Sequence, residues 1–262
     1  MFLTYKVSES IIQPMDSKEN RGKSMKIIIT AGGTSERIDD VRTITNSSTG
    51  RLGFAIGTAF VEKYGDRIEK IYYLHGARAA YVENEIVEPV KIEGVMDLQD
   101  KLTELLTGEK IDAVIHAMAV SDYMVNEVTT LDRIRGIEDP DSKADLSGNK
   151  ISSDIDDLVI HMKRSPKVIS IIKKNSPGTV LVGFKLLSGV PHEELIEVGC
   201  HLMEKNRCDF VLANDLKEIG ADYHRGYLIH KDHSYDIMEN NQEIADMIAK
   251  RVMEKTGERS FR

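Results

Sequence analysis

Thr30-Ala31-Gly32-Gly33-Thr34-Ser35-Glu36-Arg37-Ile38-Asp39-Asp40-Val41-Arg42-Thr43-Ile44-Thr45-Asn46-Ser47-Ser48-Thr49-Gly50-Arg51-Leu52-Gly53 is the stretch that decides the fold. Just before it, Ile27-Ile28-Ile29 reads as a buried strand, and just after it Leu52, Ala55, Ile56, Ala59 and Phe60 recur at helical spacing. A glycine-rich passage from strand to helix aims backbone N–H groups at an anion, and the helix dipole favours negative charge there. Neither common phosphate-binding scheme fits. Gly50, Gly53 and Gly57 lack the spacing of a dinucleotide fingerprint, and His75-Gly76 stands where an acid would hold a ribose. Gly22-Lys23-Ser24 precedes the strand and lacks the first glycine of a P-loop. The same residues also read as a capped helix start, with Ser48 or Thr49 as the cap.

Outward from this stretch, strand patterns fall at 26–30, 68–74, 113–118, 179–184 and 210–214. Helical patterns fall at 50–64, 96–106, 166–174 with Pro166 in the first turn, 193–205 and 240–255. Residues 226–230 and 235–238 read as a closing hairpin across 231–234. Strands alternating with helices mean βαβ units. The expectation is therefore an α/β fold, a three-layer Rossmann-like sheet, mostly parallel, with a C-terminal hairpin. Ligands of such sheets sit at the carboxyl ends of the strands, here at 32–53, 116–123 and 184–187. The polar segment 126–164 breaks the alternation and reads as a flap, about 124–165, over that edge.

The 262 residues suffice for one large domain, taken as 25–262, with 1–24 as an N-terminal arm outside the fold. A net charge of −8 argues against nucleic acid or an anionic membrane as the main partner. Residues 1–24 lack the apolar stretch of a signal peptide, and no apolar run is long enough to span a bilayer. Two cysteines, Cys200 and Cys208, form no metal spacing. A reducing, cytoplasmic setting is expected.

Among candidate site residues, Arg42 suits bidentate contact with phosphate or carboxylate, and Asn46 offers a neutral donor and acceptor. Their bland readings are a surface arginine and a turn asparagine. Asp122 at a strand end reads as a ligand contact or as a flap ion pair. Lys150 reads as a lysine that meets a triphosphate or as a solvated loop residue. His116, on an apolar strand, reads as a core histidine.

Together these residues resemble phosphopantothenate–cysteine ligase. The resemblance is carried by 30–53, Ala119-Val120-Ser121-Asp122-Tyr123, Lys150-Ile151, Arg164-Ser165-Pro166-Lys167-Val168-Ile169, Val182-Gly183-Phe184 and Ala213-Asn214-Asp215. It implies joining of 4′-phosphopantothenate to L-cysteine through an acyl-nucleotide, with CTP expected over ATP, Mg²⁺, and a homodimer in a monofunctional bacterial form. By the same resemblance Asn46 holds the acyl-nucleotide, and Arg42 grips the phosphate of phosphopantothenate. Ser48 and Gly50 form the phosphate loop. Ala117, Met118 and Asp122 form the nucleotide wall, and Lys150 serves the first half-reaction. Pro166, Lys167, Val168, Ile169 and Phe184 contact the nucleotide, as do Lys205 and Asn206. The Mg²⁺ ligands stay unassigned. Ser152 and Ser153, where relatives carry two lysines, depart from the family pattern, as does Lys185 after Phe184. The alternatives are a nicotinamide-dependent reductase and a non-catalytic nucleotide-binding regulator.

Overall fold

In the computed structural model, residues 25–136, 150–220 and 223–260 are described. The expected arm 1–24 and much of the flap insertion lie outside them. The chain runs β1 (Met25–Ala31), β2 (Ser35–Arg37), β3 (Thr43–Thr45), α1 (Arg51–Tyr64), β4 (Ile68–Gly76), β5 (Val87–Ile92) and α2 (Val95–Gly108). Next come β6 (Ala113–His116), β7 (Tyr123–Thr130), α3 (Leu131–Arg135), β8 (Leu158–Arg164) and α4 (Ile169–Asn175). The last elements are β9 (Val180–Leu187), α5 (His192–Asn206), β10 (Phe210–Asp215), β11 (Gly226–Ile229), β12 (Tyr235–Met238) and α6 (Asn241–Ser260).

The main sheet has eight strands in the order β12-β11-β10-β9-β6-β1-β4-β5. All pairings from β10 to β5 are parallel; β11 and β12 close the sheet as an antiparallel hairpin. Ile27, Ile28 and Ile29 are each fully buried because β1 is covered on both faces. Ile27 and Ile29 belong to the core on one face, with Phe60 of α1 and Ile248 of α6; Ile28 belongs to the core on the other, with Leu98 of α2, Ile172 of α4 and Leu195 of α5. The three-layer arrangement expected from the alternation is thus the one observed. Close packing of α1 on β1 depends on Gly53, where a Cβ would lie 2.5 Å from that of Ala31.

The long glycine-rich passage is not bare loop. It folds back as the β2–β3 hairpin, with Ser35 opposite Thr45 and Arg37 opposite Thr43. Glu36, 7% exposed, anchors the hairpin by accepting the Val95 N–H at 2.9 Å, capping α2 from another element. The flap is a β-excursion as expected: β7 and β8 pair antiparallel as a separate ribbon, with Thr129 as its one buried residue.

Three readings of the sequence are corrected. Strand β5 went unread, because Glu88, Pro89 and Lys91 on an edge strand erase the apolar pattern. Pro166 is not in a first helical turn: α4 begins at Ile169, after a turn in which Ser170 N–H bonds Lys167 C=O. Neither Ser48 nor Thr49 caps α1; the N-cap is Gly50, at φ 75°, a left-handed position that favours glycine.

Candidate functional site

Strand β1 has β4 on one side and β6 on the other, so the strand order reverses beside it, between β1 and β6. Helices leave on opposite faces there, and a crevice opens at the carboxyl ends. The structure has such a cleft, of about 650 Å³, lined by Asn46 to Gly53, Ala117, Ala119, Leu216, Ile219, Gly220, Tyr223, His224 and the start of α6.

Its floor is built by backbone. Gly33 bridges Ala119, Thr34 N–H donates to Ala119 C=O at 3.2 Å, and Ala119 N–H donates to Gly32 C=O at 2.8 Å. Thr30 Oγ1 takes the Met118 N–H at 3.1 Å and lies 3.1 Å from His116 Nδ1. Burial lowers the His116 pKa to about 4, so the ring is neutral and shares a hydrogen bond with the Thr30 hydroxyl. His116 is the satisfied core histidine its apolar strand implied.

Asn46 Nδ2 donates to Ala119 C=O at 2.7 Å. That fixes the amide and leaves Oδ1 and one N–H for a ligand. Gly50 gives α1 no side-chain cap, so the amides of its first turn are open to an anion. The N-terminus of α6 reaches the same cleft but is capped: Asn240 Oδ1 accepts the Glu243 N–H at 2.9 Å. Arg51 also lines the cleft, and among the described residues no carboxylate does. The uncapped N-terminus of α1 and a guanidinium, with no lining acid among the described residues, are suited to an anion.

Opposite the loop, His224 is clamped between two amides. Asn214 Nδ2 lies 2.7 Å from Nε2, and Nδ1 lies 2.7 Å from Asn241 Oδ1. Burial, with Arg51 nearby, lowers the pKa of His224 despite the Asn241 bond. Arg51, His224 and Asn241 were not singled out in the sequence. Arg51 had a signal, as the first residue after a glycine cap; the histidine clamp spans three elements and had none.

Of the expected residues, the structure brings Asn46, Ser48, Gly50 and Ala117 to the cleft. Phe184 packs half-buried on the same side of the sheet. Met118 is buried and offers only its backbone, while Val168 and Ile169 pack into the core of the opposite face. Asp122 pairs with Lys167 at 2.5 Å, an exposed flap ion pair; Ser165 N–H meets Asp122 C=O beside Pro166. Arg42 faces Asp39 and the flap carbonyl of Ile151 rather than the cleft. Lys150 is exposed in a bend, in the irregular stretch that leads into β8.

Lys205 and Asn206 are not brought to the cleft. They end α5, which starts at the carboxyl edge of the sheet and runs to the opposite edge. Asn206 is buried there, bonding Leu202 C=O at 3.0 Å. Among the described residues no helix is long and apolar enough to cross a membrane.

The family described as the DNA/pantothenate metabolism flavoprotein C-terminal domain matches residues 22–135 and 141–256. The coenzyme A biosynthesis bifunctional protein CoaBC of Thermococcus kodakarensis is 33% identical over 222 residues, 85% of this chain and 48% of that protein. The chain thus spans about half the length of that curated relative. The crystal structure of the DNA/pantothenate metabolism flavoprotein from Streptococcus pneumoniae superposes with a TM-score of 0.77 at 33% identity, over 88% of this chain and 100% of that one. A Cab2 mutant in complex with phosphopantothenate-cysteine shares the fold, with a TM-score of 0.60 at 15% identity over 90% of this chain and 87% of that one. With a match over nearly all of the described fold, the chain belongs to the DNA/pantothenate metabolism flavoprotein C-terminal domain family.

Proposed function

We propose that this chain is a phosphopantothenate–cysteine ligase of coenzyme A biosynthesis. A nucleoside triphosphate, CTP in this reading, activates the 4′-phosphopantothenate carboxylate. The carboxylate oxygen attacks the α-phosphorus and pyrophosphate leaves. The cysteine amine then attacks the acyl carbon, and the nucleoside monophosphate leaves with the electron pair of the acyl–oxygen bond.

The observation that carries this reading is the cleft itself: an uncapped helix N-terminus and Arg51, with no acid among the described lining residues, beside an asparagine whose amide is held by the Ala119 carbonyl. Family membership and the phosphopantothenate-cysteine complex of the Cab2 mutant support it. The N–H groups of α1 and the Arg51 guanidinium receive the phosphates. The acyl-nucleotide lies against Asn46, whose Oδ1 accepts from the incoming amine and whose free N–H orients the acyl oxygen. Lys150 carries charge stabilisation to the activation step, and Arg42 holds the phosphate of phosphopantothenate with its remaining N–H groups. Ser48, Ala117, Met118, Asp122 and the 166–169 turn belong to the nucleotide side. Mg²⁺ enters as the partner of the triphosphate, because the described residues of the lining offer amide and hydroxyl oxygens but no carboxylate to hold a metal unaided. The homodimer belongs to the same reading: a two-stranded ribbon is marginal alone, and Tyr123 and Leu158 stand exposed on it.

The test is pyrophosphate release with CTP, then ATP, in the presence of phosphopantothenate, with and without cysteine. Release that turns over only with cysteine is expected. No release with either nucleotide would leave the cleft as an anion-binding feature alone. Sedimentation at assay concentration checks the dimer; a fully active monomer would remove it.

A further inference from the structure

Asp39 of the β2–β3 hairpin and Ile151 of the flap lie 112 positions apart in sequence, yet they meet. Asp39 sits at the hairpin tip with its side chain 2% exposed. Its Oδ1 accepts the N–H groups of Val41 at 2.9 Å and Arg42 at 2.7 Å. That much is an ordinary turn, and a single oxygen would serve it. Its Oδ2 does something different. It accepts the N–H of Ile151 at 3.2 Å and pairs with Arg42 Nη1 at 3.2 Å. Arg42 Nη2 then donates to Ile151 C=O at 3.3 Å.

Both backbone groups of Ile151 are thus held by two side chains, as a neighbouring strand would hold them. The side chain of Ile151 is itself 2% exposed. Behind the tip, Glu36 bonds the start of α2, Arg37 pairs with Glu93 at 3.1 Å and Ser35 N–H meets Glu93 C=O at 2.8 Å, so the hairpin is fixed to the body. We infer that Asp39 is a positioning residue: through Ile151 it sets where Lys150 stands relative to the Arg42 hairpin. The kinetic part of this inference rests on the ligase reading; the contact itself does not.

Asp39→Asn is the discriminating variant. Asparagine keeps one oxygen for Val41 and Arg42, but its NH₂ would face the Ile151 N–H and the Arg42 guanidinium, donor against donor. Four proteins are compared: wild type, Asp39→Asn, Lys150→Gln and the double variant. Amide exchange of residues 150–155, followed by mass spectrometry on the whole chain, reads the contact without any ligand. About tenfold faster exchange there in Asp39→Asn is expected, with the 35–45 hairpin unchanged. Unchanged exchange at 150–155 would overturn the inference.

Pyrophosphate release reads the consequence. About a tenfold or greater fall in kcat is expected for Asp39→Asn, with the KM for phosphopantothenate kept, and no further loss when it is added to Lys150→Gln. Losses that multiply in the double variant would overturn the inference. So would a raised KM with kcat intact, because Asp39 would then serve Arg42 alone. If the wild type itself releases no pyrophosphate, the ligase reading falls, and the exchange result by itself upholds or overturns the contact.

Discussion

At the scale of single residues, Asn46 is the sharpest point of the site. Its Nδ2 is committed to Ala119 C=O, so an Asn46→Asp change sets a carboxylate oxygen against a carbonyl oxygen. The expected result is a fall of about 100-fold or more in transfer to cysteine, with the acyl-nucleotide accumulating; unchanged turnover would remove Asn46 from the chemistry. For Arg51→Gln the expected result is a rise of about tenfold in the KM for nucleotide at low salt, shrinking as salt is added. Asn46, Ser48 and Gly50 were legible in the sequence because one stretch of chain carries them between a strand and a helix. Lys205 and Asn206 lie away from the cleft, at the far end of α5, and spacing along a helix does not tell which end meets the carboxyl edge of the sheet. The Asn214–His224–Asn241 clamp was illegible because its members come from β10, a loop and α6.

At the scale of elements, the hairpin that carries Arg42 depends on α2. Gly94, the N-cap of α2, has no side chain to offer, and Glu36 supplies the missing acceptor. Glu36→Ala is expected to cost about 1–2 kcal/mol in urea unfolding, within the usual range for a lost cap. It is also expected to raise the KM for phosphopantothenate, since the platform under Arg42 loosens. A stability loss with unchanged KM would separate the two roles. Element existence was readable wherever burial imposed a period, as in β1, α1 and α2. It failed at β5, where the strand is an edge, and at β2 and β3, where each strand is three residues long and too short to show a period.

At the scale of the whole molecule, His116 ties stability to pH. Its folded pKa lies near 4 because burial disfavours the cation, against an ordinary value of 6.5. Below 6.5 the unfolded chain takes up a proton that the folded chain refuses. Stability is therefore full above that pH and declines as pH falls toward 4, by up to about 3 kcal/mol from this group. Urea midpoints across that window check this, and His116→Asn is expected to flatten the slope. Among the described residues the sheet has two edge strands, β12 and β5. On β5 the run Glu88-Pro89-Val90-Lys91 leaves a gap in the outward row of donors and sets charges beside it. That same proline decides how the protein behaves when crowded with copies of itself. A Pro89→Thr variant keeps the fold and the chemistry but presents an unbroken outer row, so turbidity on concentration and warming should appear where the parent solution stays clear.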